Sequence, residues 1–320
     1  MSARIVFIDC NDQLQPVFDA VGHPDDPPIL VNRAAFTSED LPRLLDGCEI
    51  AIVDHSYMPT DIVARCETLR DIVFLGTGPQ SYMDVESLRR QGVTVHAIKG
   101  YGDAAVAEHA IAMMFACARD IARMDREIRA GSWRPREGVQ LTGKRLGVIG
   151  LGGIGAEVAR IARGIGMEVL AWNRTPRSDV IAPIAIEALL QGADVVSLHL
   201  ALNDETRGFL DAGRLALLKR GAIVVNTARG ALIDETALLE ALNRGHVARA
   251  GLDVFALEPL RPDHPLARHD SVTLSAHSGF RTYEASATLL GRALDIVRKL
   301  AARNPLPPSR GKVSLRSNDG

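Results

Sequence analysis

The chain has 320 residues, of which 47% are hydrophobic and 24% charged, a composition suited to about two soluble domains with full cores. A net charge of -2 without any basic block argues against nucleic acid or an anionic membrane as partner, and no stretch is long and uncharged enough to span a bilayer. The N-terminus MSARIVFIDC lacks the apolar core of a signal peptide, and Cys10, Cys48, Cys66 and Cys117 show neither C-x-x-C nor metal-like spacing, so the expectation is a cytoplasmic protein with reduced thiols and no metal site.

Residues 1–100 alternate short apolar, β-branched runs with helical segments. The runs are Arg4–Ile8, Ile29–Val31, Ile50–Val53, Ile72–Leu75 and Val93–His96, and the helices are Asp12–Ala20, Glu39–Leu45, Pro59–Cys66 and Asp84–Gln91. This pattern predicts a small parallel sheet with helices on both faces, and Pro24–Pro28 reads as a surface loop. Asp103 is a fair N-cap for a long helix to about Ala130, ended by Gly131. Its stripe is Val106, Ala110, Met113, Cys117, Ile121, Met124 and Ile128, and Ile111 and Phe115 make its first half apolar all round, as in a helix wedged between two bodies. It is the expected crossing into a second domain, and Gly279–Thr282 the expected crossing back, before a closing helix over Tyr283–Ala302.

Between the crossings stands LTGKRLGVIGLGGIGAEVARIARGIGMEVLAWNRT, residues 141–175. A strand over Leu146–Ile149 runs straight into Gly150, Gly152 and Gly155, in the order G-x-G-x-x-G. A helix follows with Ile154, Val158, Ile161 and Ala162 on one face and Gly164 placed to stop it, then a second strand, Glu168–Trp172. Gly150 permits the tight turn, Gly152 admits a pyrophosphate close to the backbone, and Gly155 lets helix and strand pack closely. Unpaired N–H groups at the helix start, from Gly153 and Ile154 onward, suit phosphate. Lying between a strand and a helix, the motif reads as dinucleotide binding. Four more strands are expected, Asp194–Leu200, Ala222–Asn226, Val247–Asp253 and Val272–Ser275. Helices Asp211–Lys219 and Glu235–Asn243 separate them, with Gly245 as a stop. The domain division is therefore 1–102 plus 283–303 for substrate and 103–282 for the dinucleotide, with a disordered tail from Asn304, rich in Pro, Ser, Gly and charge.

Three of these strands end in polar clusters, Asn226-Thr227-Ala228-Arg229-Gly230, Asp253-Val254-Phe255-Ala256-Leu257-Glu258-Pro259 and Ser275-Ala276-His277-Ser278-Gly279. Ligands of open parallel sheets bind beyond the carboxyl ends of the strands, so Arg229, Glu258 and His277 can converge there. With VAEHAIAMM (Val106–Met114), GLGGIG (Gly150–Gly155), VNTARGALIDETAL (Val225–Leu238), GLDVFALEPL (Gly251–Leu260) and SAHSGF (Ser275–Phe280), the chain resembles the D-isomer-specific 2-hydroxyacid dehydrogenases over residues 45–300. That family includes glyoxylate, hydroxypyruvate and phosphoglycerate dehydrogenases. The resemblance implies a Rossmann-type sheet inserted into a smaller flavodoxin-like α/β domain, and a homodimer through the dinucleotide domain. It departs where the family usually has proline before the histidine, here Ala276, and where Leu198–Leu202 continues without one.

The resemblance maps the catalytic set onto Arg229, Glu258 and His277. Arg229 would hold the carboxylate of a small 2-oxo acid and polarise its ketone through a fixed fork. His277, as imidazolium, would protonate the carbonyl oxygen while a hydride arrives from the reduced nicotinamide, with Glu258 favouring the charged ring. Thr77 and Gly78, after a first-domain strand, resemble a second carboxylate anchor. Thr227, Ala228 and Asp253 count with the cofactor-binding residues, although Asp253 reads equally as a strand stop. Arg281, Lys99, Tyr57 and Tyr101 are candidates for substrate selection, Glu108 is read as structural, and His109, His199, His246, His264 and His269 show no partner pattern. NADP is favoured over NAD, because no acid occurs between Val169 and Ser178, where an NAD site normally carries one. Asn173, Arg174 and Thr175, with Arg177, offer donors for a 2′-phosphate. The alternative from another class is a dinucleotide-sensing corepressor on the same scaffold.

Overall fold

The computed structural model describes residues 5–175 and 181–303; Arg177, Ser178 and the tail from Asn304 lie outside the described residues. The described residues form two compact units, divided between Gly102 and Asp103 and again between Arg281 and Thr282, the first and last segments making one unit and the middle segment the other.

In the first unit the order is β1 (Ile5–Phe7), α1 (Leu14–Val21), β2 (Leu30–Val31), α2 (Leu41–Leu44), β3 (Ile50–Val53), α3 (Thr60–Val63), β4 (Asp71–Phe74), α4 (Val85–Arg90) and β5 (Thr94–Ala97). The strands pair in parallel in the order β2-β1-β3-β4-β5, the flavodoxin-like arrangement. Alternate residues serve opposite faces, as the two-residue period of a strand requires. Val6, Ile8, Ala51, Val53, Ile72 and Phe74 enter one core. Ile5, Phe7, Ile50, Ile52, Val73 and Leu75 enter the other, where the closing helix Tyr283–Arg303 brings Leu290, Leu294 and Val297. Two expected helices shrink to four residues each. Thr37 and Asp40 form a capping box that tightens Ser38–Asp40 into a 3-10 turn before α2. After α3 the backbone also tightens, Arg65 N bonding Ile62 O at 3.0 Å and Cys66 N bonding Val63 O at 2.9 Å.

The second unit runs α5 (Asp103–Ala118), α6 (Ile121–Arg129), β6 (Arg145–Ile149), α7 (Gly153–Gly164), β7 (Glu168–Trp172), α8 (Ile186–Gly192), β8 (Val195–Leu198), α9 (Ala212–Leu217), β9 (Ala222–Asn226), α10 (Glu235–Asn243), β10 (Val247–Leu252), α11 (Pro265–Arg268) and β11 (Val272–Leu274). Its all-parallel sheet has the order β11-β10-β9-β8-β6-β7, so the chain reverses direction across the sheet at β6. That switch point is where doubly wound folds open a ligand crevice. Helix α8, with Ile186, Leu189 and Leu190 buried, was not among the expected elements although its i, i+3, i+4 spacing stands in the sequence. Gly164 stays inside α7, and the left-handed stop falls two residues later at Gly166, with φ of 81°.

The long helix expected over 103–130 is two helices, and Asp103 is its first residue rather than its cap. The break lies at Asp120, whose φ of 56° no regular helix permits. Asp120 is 5% exposed and its carboxylate takes a two-pronged bond from Arg249 of β10, Nε to Oδ1 at 3.0 Å and Nη2 to Oδ2 at 2.9 Å. Val139 N takes the freed carbonyl of Ala118 at 2.7 Å. Beyond the break the apolar stripe faces outward, Ile121 being 51% and Ile128 53% exposed, and Phe115 is 38% exposed within α5. Among the described residues, Arg249→Ala leaves the buried carboxylate with only the more distant Arg136, 3.9 Å away. Its expected cost in chemical denaturation is about 3 kcal/mol, the low end for a buried pair because Arg249 is partly exposed, and an unchanged midpoint and slope would show that the ion pair does not hold the break.

Candidate functional site

The six strands of the second sheet end in one line. Their pairings place Trp172, Ile149, Leu198, Asn226, Leu252 and Leu274 side by side. The residues that follow, Asn173, Gly150, His199, Thr227, Asp253 and Ser275, therefore form a row along the carboxyl edge.

At the β6–β7 end, Gly150 has φ of 101°, and a Cβ there would stand 2.6 Å from His199 O. A Cβ on Gly155 would collide with Gly150 O, so the first turn of α7 packs directly on the strand end. Nothing surrounds the corresponding position on Gly152, the residue that caps α7. The Asn173 side chain accepts from Leu151 N at 3.0 Å and donates to Thr175 O, which ties the end of β7 to the glycine turn. Arg174 and Thr175 are exposed, and Arg174 pairs with Glu205 at 2.7 Å, a partner the sequence reading did not supply. Two polar atoms of the row, Thr227 Oγ1 and His199 Nδ1, are sealed from solvent without a partner among the described residues. Burial pushes His199 down to about 4, so its ring is neutral, with Nε2 bonded to Ser197 Oγ at 2.8 Å. A buried unpaired polar atom costs ~1–3 kcal/mol. These atoms, the open position at Gly152 and the N–H groups starting α7 together fit a dinucleotide laid along the row.

At the other end stand Arg229, Glu258 and His277. Asn226, 1% exposed, shapes the first loop, its side chain accepting from Ala228 N at 3.0 Å and donating to Arg229 O at 2.9 Å. Gly230 must be glycine, because a Cβ would enter the carbonyl of Phe255. That close approach sets the Arg229 loop against the Glu258 loop. Arg229 is half-buried and its Nη1 donates to Ala228 O at 2.7 Å. Glu258 accepts from Phe255 N at 2.9 Å through Oε1 and meets His277 Nδ1 at 2.8 Å through Oε2. Burial raises the Glu258 carboxyl, but the bonds from His277 and Phe255 N and the charges of His277 and Arg229 outweigh it and hold it below the usual carboxylate range. With Nδ1 engaged by a carboxylate, Nε2 is the ring nitrogen that can exchange a proton with a ligand.

His277 has φ of 48°, a left-handed conformation that costs a non-glycine residue ~1–2 kcal/mol. Asp253 holds it there. Three successive N–H groups converge on this residue: His277 N on its carbonyl at 2.8 Å, Ser278 N on Oδ1 at 2.9 Å and Gly279 N on Oδ2 at 2.9 Å. Ser275 Oγ adds a bond to Oδ1 at 2.6 Å. Ser275 also meets His109 Nε2 at 2.9 Å, so His109 has a partner after all, one 166 residues away and beyond any local sequence signal. At the family's proline position, the carbonyl of Ala276 accepts from Ser278 Oγ at 3.0 Å. In the first unit, Thr77 and Gly78 follow β4 in the turn before Pro79–Ser81.

The chain matches the family model described as "D-isomer specific 2-hydroxyacid dehydrogenase, NAD binding domain" over residues 111–279. It is 31% identical over 315 residues to a glycerate dehydrogenase from Methylorubrum extorquens, covering 95% of this chain and 98% of that one. A D-3-phosphoglycerate dehydrogenase from Archaeoglobus fulgidus is 34% identical over 79% of this chain, which spans only 49% of that protein's length. A solved glyoxylate reductase from Paecilomyes thermophila superposes with a TM-score of 0.81 at 28% identity, covering 95% of this chain and 97% of that one. The chain belongs to the D-isomer specific 2-hydroxyacid dehydrogenase family. It is an enzyme of that family, and its second unit carries the NAD-binding domain.

Asp253 gives this dehydrogenase a measurable acid limit. Burial raises its carboxyl, but the bonds from His109, Ser275, Ser278 and Gly279 win and lower it to about 2. A carboxyl lowered on folding stabilises the fold above its unfolded value near 3.9, and that stabilisation is lost as pH falls toward the folded value. Asp253→Asn is expected to cost about 2 kcal/mol at pH 7, the deficit narrowing as pH drops through about 4 toward 2. Denaturant titrations at a series of pH values measure this, and a deficit constant with pH would contradict it.

Proposed function

We propose that the enzyme reduces a small 2-oxo acid to the D-2-hydroxy acid, and runs the reverse oxidation, with His277 as proton donor and acceptor. The observation that carries this reading is the 2.8 Å contact of His277 Nδ1 with Glu258, which commits Nε2 to proton exchange. Bound dinucleotide supplies the hydride, or takes it up in the reverse direction. Imidazolium His277 gives its Nε2 proton to the carbonyl oxygen, and Glu258 stabilises the charged ring that this requires. Arg229 clamps the substrate carboxylate, and the bonds of Asn226 hold its loop in place. Thr77 and Gly78 of the first unit offer backbone donors suited to a carboxylate. Four inter-strand steps of about 4.8 Å separate Asn173 from Asp253, roughly 19 Å, a span suited to an extended dinucleotide with its adenosine end at Asn173 and its nicotinamide end near Thr227, Ala228 and Asp253. Glyoxylate and hydroxypyruvate are the favoured substrates. Hydroxypyruvate is the oxidation product of glycerate, the compound named for the Methylorubrum relative. No observation favours the corepressor reading.

We place the enzyme in the cytoplasm, in keeping with four free, buried cysteines. Among the described residues no helix is long and apolar enough to cross a membrane. A homodimer through the second unit accords with the exposed apolar residues Ile121, Ile128, Trp133 and Val139. A panel of glyoxylate, hydroxypyruvate and pyruvate with each reduced cofactor tests the function, and no turnover above background with any of them would refute it. His277→Ala is expected to lower kcat by about 10²–10⁴-fold, with dinucleotide binding by fluorescence retained. Wild-type kcat in that variant would remove His277 from the reaction.

For the cofactor, the reading favours NADP(H). No acid occurs between Val169 and Ser178, and Arg174 stands next to Asn173. Glu205 competes for Arg174, but an exposed ion pair is worth only ~0.2–1 kcal/mol, and a 2′-phosphate dianion would bring more charge and more acceptor oxygens to the same guanidinium. The expected kcat/KM favours NADPH by about tenfold or more, and Arg174→Ala removes most of that preference. Preference for NADH, or a preference that survives the substitution, would overturn the assignment.

A further inference from the structure

His109 lies on α5, and its ring is tied to the loop that carries His277. Its Nε2 is 2.9 Å from Ser275 Oγ, and Ser275 Oγ is 2.6 Å from Asp253 Oδ1. Asp253 is ionised at neutral pH and has no proton to give. The single hydroxyl proton of Ser275 therefore goes to Asp253, which leaves Ser275 Oγ an acceptor toward the ring. His109 must then carry a proton on Nε2, and the hydrogen bonds run in one direction, from His109 to Ser275 to Asp253. The ring also bounds the loop sterically, since a Cβ on Gly279 would lie 3.5 Å from its Cδ2.

The far end of this chain of bonds is the backbone of the proposed acid. Asp253 takes the N–H groups of His277, Ser278 and Gly279, and together they hold the left-handed turn at His277. A strained backbone persists only where its surroundings over-determine it. We propose that His109 is a positioning residue for His277, fixing Ser275 on Asp253 so that the loop keeps the His277 ring on Glu258. Without the Nε2 donor, Ser275 Oγ keeps its bond to Asp253 Oδ1 but loses the partner that directs it there, Met113 Sδ at 3.8 Å being a weak alternative acceptor. Asp253 also loses the ring that lies 3.4 Å from the same oxygen. The loop then loosens, and the His277 ring moves relative to the reacting oxygen. The inference rests on His277 as the proton donor.

The test compares H109L, H109Q, S275A and H277A in the reductive direction, with glyoxylate or hydroxypyruvate as the probe and dinucleotide binding followed by fluorescence. H109L is expected to lower kcat by about tenfold, within the range that small misplacements of a catalytic group produce. Arg229 lies outside this set of bonds, so KM for the acid and the dinucleotide dissociation constant should stay within about twofold. The glutamine of H109Q can donate from nearly the same place and should restore kcat to within about threefold of wild type. S275A should match H109L. Wild-type kcat in H109L or S275A overturns the proposal, and so does equal loss in H109L and H109Q, which would mark His109 as packing alone. If H109L does not fold, S275A decides by the same criterion. An H277A variant with normal kcat would remove the acid–base reading itself. An inactive H277A beside unaffected H109L and S275A would remove only the role of His109.

Discussion

The site depends on the register of six parallel strands. Side chains in a strand alternate between faces, so a slip of one residue would turn each strand's apolar set out of its core. The core on each side of the second sheet therefore locks the register, with Val148 and Val225 packed in one layer and Ile149 and Val224 in the other. Locked register fixes where each strand ends relative to its neighbour. Because every strand runs the same way, all six strand ends open on one edge. Residues as distant in sequence as Gly150 and Ser275 thus occupy one row without any direct interaction between them.

What the sequence made legible follows from which forces are local. Ile50–Val53, Glu168–Trp172, Ala222–Asn226 and Glu235–Asn243 stand where the pattern predicts them, since apolar runs and the stop at Gly245 act within a few residues. The glycine turn was legible for the same reason. The break at Asp120 was not, because the local pattern favours continued helix and the deciding partner, Arg249, is 129 residues away. Glu205 lies 31 residues beyond Arg174 and His109 166 residues before Ser275, and each was invisible on the same grounds. Motif resemblance could name Arg229, Glu258 and His277 as a group. It could not say that Asn226, Gly230 and Asp253 hold the loops on which they sit.

Asp253 and Glu258 are five positions apart, and their surroundings give them different work. Asp253 is 1% exposed, and its two oxygens are met by Ser275, Ser278 and Gly279, with His109 at 3.4 Å. A carboxylate has about four lone-pair sites, so little accepting capacity is left for a ligand. The sequence left Asp253 open between a cofactor contact and a strand stop; the bonds make it an organiser of the loop first, with at most one site near Oδ2 for an amide. Glu258 is the opposite case, its side chain 34% exposed and its bonds among the described residues limited to one backbone N–H and the His277 ring. A carboxylate with a single mobile partner can follow the charge of that partner through a reaction, whereas one saturated by backbone donors cannot move without unmaking the loop. The rigid carboxylate therefore fixes where the imidazole stands, and the less constrained one engages its Nδ1. Exchanging the two environments would leave a ring bonded through Nδ1 but misplaced, or one in place without a carboxylate on Nδ1. Their separation by one short loop lets both act on the same ring.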